Sequence, residues 1–257
     1  MWGPWLARSF RGRTLGKGAS PRVRPLRPSP QRPIASNLEF DETSHNINYR
    51  SRDRMITHII SDMGGVLVAL EWSERVSGLL GRSVPIDELH HLWINARSTV
   101  DFESGRIDFD TFAQNFIQEF DLQISPEQVQ HEFLEFVQAP MPGCDEILEE
   151  LKQQYHLSLL SNTNPAHYER LRDRYDFYAP FEQVFLSHEI GVMKPDPAIF
   201  HHVLAKLEIA PENAAFFDDG ARNVTAAQTV GIHAYQVHSP QELGAIVETF
   251  ETPALNP

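Results

Sequence analysis

The chain of 257 residues holds a single cysteine, Cys144. No internal disulfide can form, and the natural reading is a reducing, cytoplasmic compartment. No apolar run approaches the ~20 residues that a membrane-spanning helix needs, so no membrane partner is expected. No Gly-x-Gly-x-x-Gly or P-loop stretch follows a strand-like run, which leaves a nucleotide-binding domain without support. Cations are scarce outside the first residues: the formal charge is −13, yet residues 1–38 carry seven Arg, one Lys and no acid, so the remainder stands at −21. An acidic body repels nucleic-acid backbones, which excludes nucleic acid as an expected partner; a small anionic substrate would have to be drawn in by local cations. What is present, 41% hydrophobic and 22% charged residues, suits one domain with an insertion or two small domains. Nothing in the pattern specifies an oligomeric state.

The chain divides by composition. Residues 1–54 are rich in Arg, Pro, Gly and Ser and lack hydrophobic periodicity, so they cannot bury enough surface to offset their ordering entropy. They are expected to be disordered, to serve in targeting, or to precede a true start at Met55. From Met55 the order is a strand, a helical insertion, then alternating strands and helices. Apolar residues between Trp72 and Val137 recur at helical spacing, as in Phe109, Phe112, Phe116 and Phe120 and again in Val129, Phe133 and Phe136. That stripe reads as the packed face of an all-helical insert over residues 71–139. Pro140 to Gly143 then break the pattern and return the chain to a core made of residues 55–70 and 140–257. Strand-like runs at 157–160, 184–186, 214–217 and 234–237 alternate with helix-like runs at 144–155, 165–175, 197–207, 221–230 and 240–250. The fold class is therefore α/β, a Rossmann-like parallel sheet with helices on both faces.

In such a sheet all the C-terminal strand ends share one edge, so polar residues distant in sequence can converge there. Four places qualify: Asp62, between the apolar run from His58 and the pair Gly64-Gly65; the run Ser161-Asn162-Thr163-Asn164; Lys194 before Pro195; and the pair Asp218-Asp219. A carboxylate buried at a strand end needs a cation or hydrogen-bonding partners to stay ionised. Two adjacent carboxylates raise each other's pKa unless a cation shares the site, and a hard divalent ion such as Mg²⁺, which takes oxygen ligands, answers that need. Asp62 can attack phosphorus, Lys194 can neutralise a phosphate and the nucleophile, and Ser161 and Asn162 can donate to phosphoryl oxygens. Each position also has a plain structural alternative: a turn cap at Asp62, a helix N-cap at Asp219, a solvated lysine at 194 and a turn at 161–162.

In their order and spacing these segments resemble the motifs of the haloacid dehalogenase superfamily of hydrolases, over Met55 to about Phe250. The resemblance implies a helical cap, a catalytic aspartyl nucleophile at Asp62 and Mg²⁺ held by Asp62, the Gly64 carbonyl, Asp218 and Asp219, with Asn223 hydrogen-bonding nearby. It does not decide which carboxylate of the pair touches the ion. One departure stands out: the commonest family pattern has an acid two residues after the nucleophile, and here that residue is Gly64. The Asp-x-Gly-x-Val form is similar to a sub-group that includes bacterial phosphatases acting on α-D-glucose 1-phosphate. The expected function is Mg²⁺-dependent hydrolysis of a small phosphorylated metabolite such as a sugar phosphate, through an aspartyl-phosphate. The alternatives are a non-catalytic or regulatory protein of the same fold and a haloacid dehalogenase. His90, His91 and Glu103 in the insert are candidates for the missing acid, although no spacing aims them at Asp62.

Overall fold

Ile59 and Ile60 are neighbours in sequence, yet each packs into a different core. That alternation defines the first strand, β1 (His58–Ser61), as a member of a sheet covered on both faces. The structure, a computed structural model, describes residues 55–251. The expectations for residues 1–54 lie outside them.

Five parallel strands form the sheet, in the order Gln183–Leu186 (β5), His156–Ser161 (β4), β1, Ala214–Asp218 (β6), His233–Gln236 (β7). On one face Ile59, Leu157, Leu159 and Phe217 meet Cys144 and Leu148 of α6 (Cys144–Leu151) and Leu243 and Val247 of α11 (Pro240–Val247). On the other, Ile60, Leu160 and Phe216 meet Phe200 and Val203 of α9 (Pro197–Leu207) and Val224 and Ala227 of α10 (Ala221–Thr229). The strand order runs outward in both directions from β1, so the crevice where such sheets bind ligands opens at its C-terminal end. Asp62 follows β1 at that point.

Between Val68–Leu70 (β2) and Val137–Pro140 (β3) lie five helices: α1 (Trp72–Leu79), α2 (Ile86–Asn95), α3 (Arg97–Glu103), α4 (Phe109–Phe120) and α5 (Pro126–Leu134). They have a core of their own, in which Phe102, Phe112, Phe116 and Phe133 are almost wholly buried while Phe109 and Phe120 lie at its edge. Asp108 caps α4 by accepting from Thr111 N at 2.8 Å, and Ser125 with Gln128 forms a capping box on α5.

β2 and β3 pair antiparallel, so the chain leaves and re-enters along one ribbon. Sequence periodicity shows only a break at Pro140. The strand before it is four residues long and includes a proline, which is tolerated at an edge and hides the strand pattern. The short helix α8 (Ser187–Ile190) is likewise absent from the sequence reading, being a single turn.

The insert is tied to α7 (Pro165–Arg174) through a buried histidine. His167 stacks on Phe133 with ring centroids 4.4 Å apart, its Nε2 donates to Phe133 O at 2.7 Å, and Asn164 donates to its Nδ1 at 3.1 Å. Burial pushes this imidazole down to about 4, so it is neutral near pH 7. Phe133→Ala removes the ring from both the insert core and this stack, and should lower stability by about 3–5 kcal/mol in urea unfolding. A loss below about 1 kcal/mol would mean that the ring does not hold the two parts together.

Candidate active site

Lys194 is delivered to the strand edge by a loop that a single side chain clamps. Asn162, just past β4, accepts from Lys194 N through Oδ1 and donates through Nδ2 to Lys194 O, both at 2.8 Å. The lysine then runs over the Phe216 ring, and its ammonium reaches three acceptors: Leu160 O at 2.9 Å, Asp62 Oδ1 at 2.8 Å and Asp218 Oδ2 at 2.7 Å. An ammonium has three hydrogens, so none is left for a ligand.

Asp218 is equally committed. Its Oδ1 accepts from Gly220 N at 2.8 Å and from Asn223 Nδ2 at 2.9 Å, while Oδ2 is held by Lys194. Asp219 is the opposite case: among the described residues no hydrogen bond engages its carboxylate. It does not cap α10, whose N-cap is Gly220 without a side-chain bond. Its Oδ2 lies against the Cα of Gly65, where a Cβ would come within 2.3 Å of it, and Gly65 has φ +73°. Only glycine fits there.

Carboxylate oxygens of Asp62, Asp218 and Asp219 lie within 4.8 Å of one another. One ammonium against three carboxylates leaves two negative charges uncompensated. Burial pushes Asp62 up to about 8 against the pull of Lys194, with Asp218 and Asp219 raising it further. Burial and Asp218 raise Asp219 as well. Burial works against the charge on Lys194, but its two aspartates hold the ammonium above the usual lysine range. The arrangement fits a divalent cation: the donors are hard oxygens, the excess charge is negative, and the Asp219 carboxylate, Asp62 Oδ2 and Gly64 carbonyl have no hydrogen-bond partner among the described residues.

Above this cluster a cavity of about 200 Å³ separates the sheet edge from the insert. Asp62, Gly64, Ser161, Asn162, Thr163 and Asp219 form its floor, and Leu70, Trp72, Trp93, Phe136 and Met193 give it apolar walls. Among the described residues, no Lys or Arg lines it. The site residues expected from the sequence thus converge, but two of them differ in detail. The Asn162 side chain, expected to donate to a ligand, commits Oδ1 and one Nδ2 hydrogen to holding Lys194, which leaves its second Nδ2 hydrogen to donate. Lys194 has no hydrogen free for a substrate and lies beneath the floor. Ser161 Oγ makes only a 3.4 Å bond to Asn162 O.

Two lining residues carry more than the sequence suggested. Thr163 Oγ1 is buried without a partner, a state that sequence cannot show. Glu103 is buried in the cavity wall, whereas His90 is exposed at its mouth and His91 is exposed outside it.

Residues 56–231 match the haloacid dehalogenase-like hydrolase family. A D-ribitol-5-phosphate phosphatase from Bacteroides thetaiotaomicron is 26% identical over 200 residues, which is 71% of this chain and 92% of that protein. A sesquiterpene phosphatase from Aspergillus oryzae is 28% identical over 174 residues, 67% of this chain and 85% of that one. A haloacid dehalogenase family enzyme from B. thetaiotaomicron, solved with magnesium and inorganic phosphate, superposes with a TM-score of 0.58 at 26% identity, covering 70% of this chain and 93% of that one.

The raised Asp62 carboxyl has a consequence for stability in the absence of divalent ions. With its native pKa near 8 and an unfolded value near 3.8, the folded state holds a proton that the unfolded chain releases. This group therefore lowers stability progressively as pH rises between those values. Asp62→Asn lacks the titration, so in chelator its stability relative to the parent should climb from pH 5 to pH 8. A pH-independent difference in urea midpoints would contradict the assignment.

Proposed function

The chain belongs to the haloacid dehalogenase-like hydrolases, and we propose that it is a Mg²⁺-dependent phosphatase that hydrolyses a small phosphorylated metabolite through an aspartyl-phosphate on Asp62. The observation that carries this reading is the division of labour on one carboxylate: Asp62 Oδ1 is fixed by Lys194, and Oδ2 is left without a partner on the cavity floor beside Asp219. The two relatives named as phosphatases support it.

The Asp62 carboxylate attacks phosphorus through one oxygen as the bond to the ester oxygen breaks, leaving the phosphoryl group on the aspartate. Water then attacks phosphorus, the bond to Asp62 breaks, and inorganic phosphate and the free carboxylate result. Lys194 acts on the nucleophile rather than on the substrate: its charge favours the ionised form of Asp62 against the burial that opposes it, and its bond orients the attacking carboxylate. Asp62, Asp219 and the Gly64 carbonyl would hold Mg²⁺, with Asp218 anchored behind them to Lys194, Gly220 and Asn223. The ion supplies charge to balance that gathering on the phosphoryl oxygens. Thr163, whose hydroxyl has no partner among the described residues, and Ser161, whose hydroxyl makes only a long bond to Asn162 O, can donate to those oxygens. Carbon displacement, as in dehalogenation, has no use for the two extra carboxylates, so phosphoryl transfer is the better match.

The cavity walls indicate what is attached to the phosphate. With no Lys or Arg in the lining among the described residues, a second anionic group meets no counter-charge there. The faces of Trp72 and Trp93 suit the C–H surface of a sugar, and a sugar phosphate is the substrate class we assign. The insert acts as a cap that excludes water and chooses the substrate.

With Mg²⁺, the protein should release phosphate from p-nitrophenyl phosphate and from a panel of sugar phosphates, and chelator should stop it. Asp62→Asn should reduce turnover to background with an unchanged circular dichroism spectrum. Turnover retained in that variant would remove the covalent step.

A further inference from the structure

An alkoxide leaves poorly unless it is protonated, and the residue two places after the nucleophile is Gly64, which has no side chain to supply that proton. The space beside it is filled, because a Cβ at Gly64 would meet Leu70 Cδ1 at 2.8 Å. The proton must come from elsewhere in the cavity. Five of the lining residues have ionisable side chains: Asp62, Asp219, Glu103, His90 and His167. Asp62 is the nucleophile and Asp219 faces the ion site. His167 has both ring nitrogens engaged. His90 is exposed and stacks on Trp72 at 4.8 Å.

Glu103 differs from all of these. It ends α3, so it enters the cavity from the insert side, opposite the nucleophile's strand. Its position is pinned to the core, since Ser187 Oγ donates to Glu103 O at 2.6 Å and accepts from Thr163 N at 2.9 Å. Of its carboxyl oxygens, Oε1 accepts from Trp93 Nε1 at 3.3 Å and Oε2 has no partner among the described residues.

Resting on the phosphatase reading, we propose that Glu103 is a catalytic residue, the general acid that protonates the leaving oxygen of the substrate and then the base that takes a proton from the attacking water. The protons balance: the Glu103 carboxyl gives its proton to the departing alkoxide and becomes a carboxylate. That carboxylate accepts a proton from water as the water oxygen bonds to phosphorus and the bond from phosphorus to Asp62 breaks. The burial that places Glu103 here also lifts its carboxyl to about 7, against the opposing pull of Trp93 and Lys194, so both protonation states are accessible near neutral pH.

The test is the dependence of kcat/KM on leaving-group basicity, which reads the steps through cleavage of the ester bond. The Mg²⁺-loaded enzyme and Glu103→Gln, which keeps an acceptor for Trp93, are compared on p-nitrophenyl phosphate and on alkyl and sugar phosphates. Glu103→Gln should lose about 10²-fold or more on the alkyl and sugar esters, the usual contribution of a general acid, and much less on the nitrophenyl ester, whose leaving group needs no proton. An equal loss on both kinds of ester would overturn the proposal, as would a selective loss on alkyl esters in His90→Asn with none in Glu103→Gln. Should Glu103→Gln fail to fold, Glu103→Asp carries the test: it retains an acid, so its dependence on leaving group should stay as shallow as the parent's, and a steep dependence overturns the assignment. A parent enzyme inactive on every ester would instead count against the phosphatase reading.

Discussion

Everything in the crevice at the sheet edge depends on one buried ammonium. Lys194 donates to Asp62, to Asp218 and to Leu160 O, and it is almost completely withdrawn from solvent. A buried ion pair repays its desolvation only when the geometry is good and the remaining hydrogens are satisfied, and here all three are. The ammonium nevertheless faces three carboxylates, so the cluster is not neutral by itself. The cluster is left short of positive charge, and a divalent ion would supply it.

The fold supplies the convergence. β1 lies between β4 and β6, and the four polar segments sit at strand ends or in loops along one edge. This much was readable from residue patterns, because buried parallel strands are short apolar runs and the acids that interrupt them are conspicuous. Ile59-Ile60-Ser61-Asp62 and Phe216-Phe217-Asp218-Asp219 each end such a run with an acid. The helix limits were also near, since α7, α9 and α11 each begin at a proline following Asn, Asp or Ser.

Other features could not be read because they are properties of pairs distant in sequence. Asn162 reads as a ligand-binding amide alone, and its second task, clamping the Lys194 backbone 32 residues away, is visible only in the fold. The pairing of β2 with β3 joins segments on either side of the whole insert, and Pro140 conceals one of them. The difference between Asp218 and Asp219 is of the same kind. Adjacent in sequence, they are separated by environment: one is held by three donors, the other lies bare against Gly65.

The insert and the sheet meet through few but rigid contacts, and these decide how finely the cavity can be set. His167 locks α5 to α7, and the Ser187 hydroxyl joins the end of α3 to the loop after β4. Both links use backbone carbonyls of the insert as acceptors, so they fix where its main chain lies whatever side chains it presents. A catalytic constellation needs its groups held closely enough to keep reacting atoms aligned. Placing an acid on a separate helical body would ordinarily sacrifice that alignment each time the body moved. With the backbone of Glu103 bonded to the same Ser187 that holds Thr163, the carboxyl and the crevice floor share one anchor.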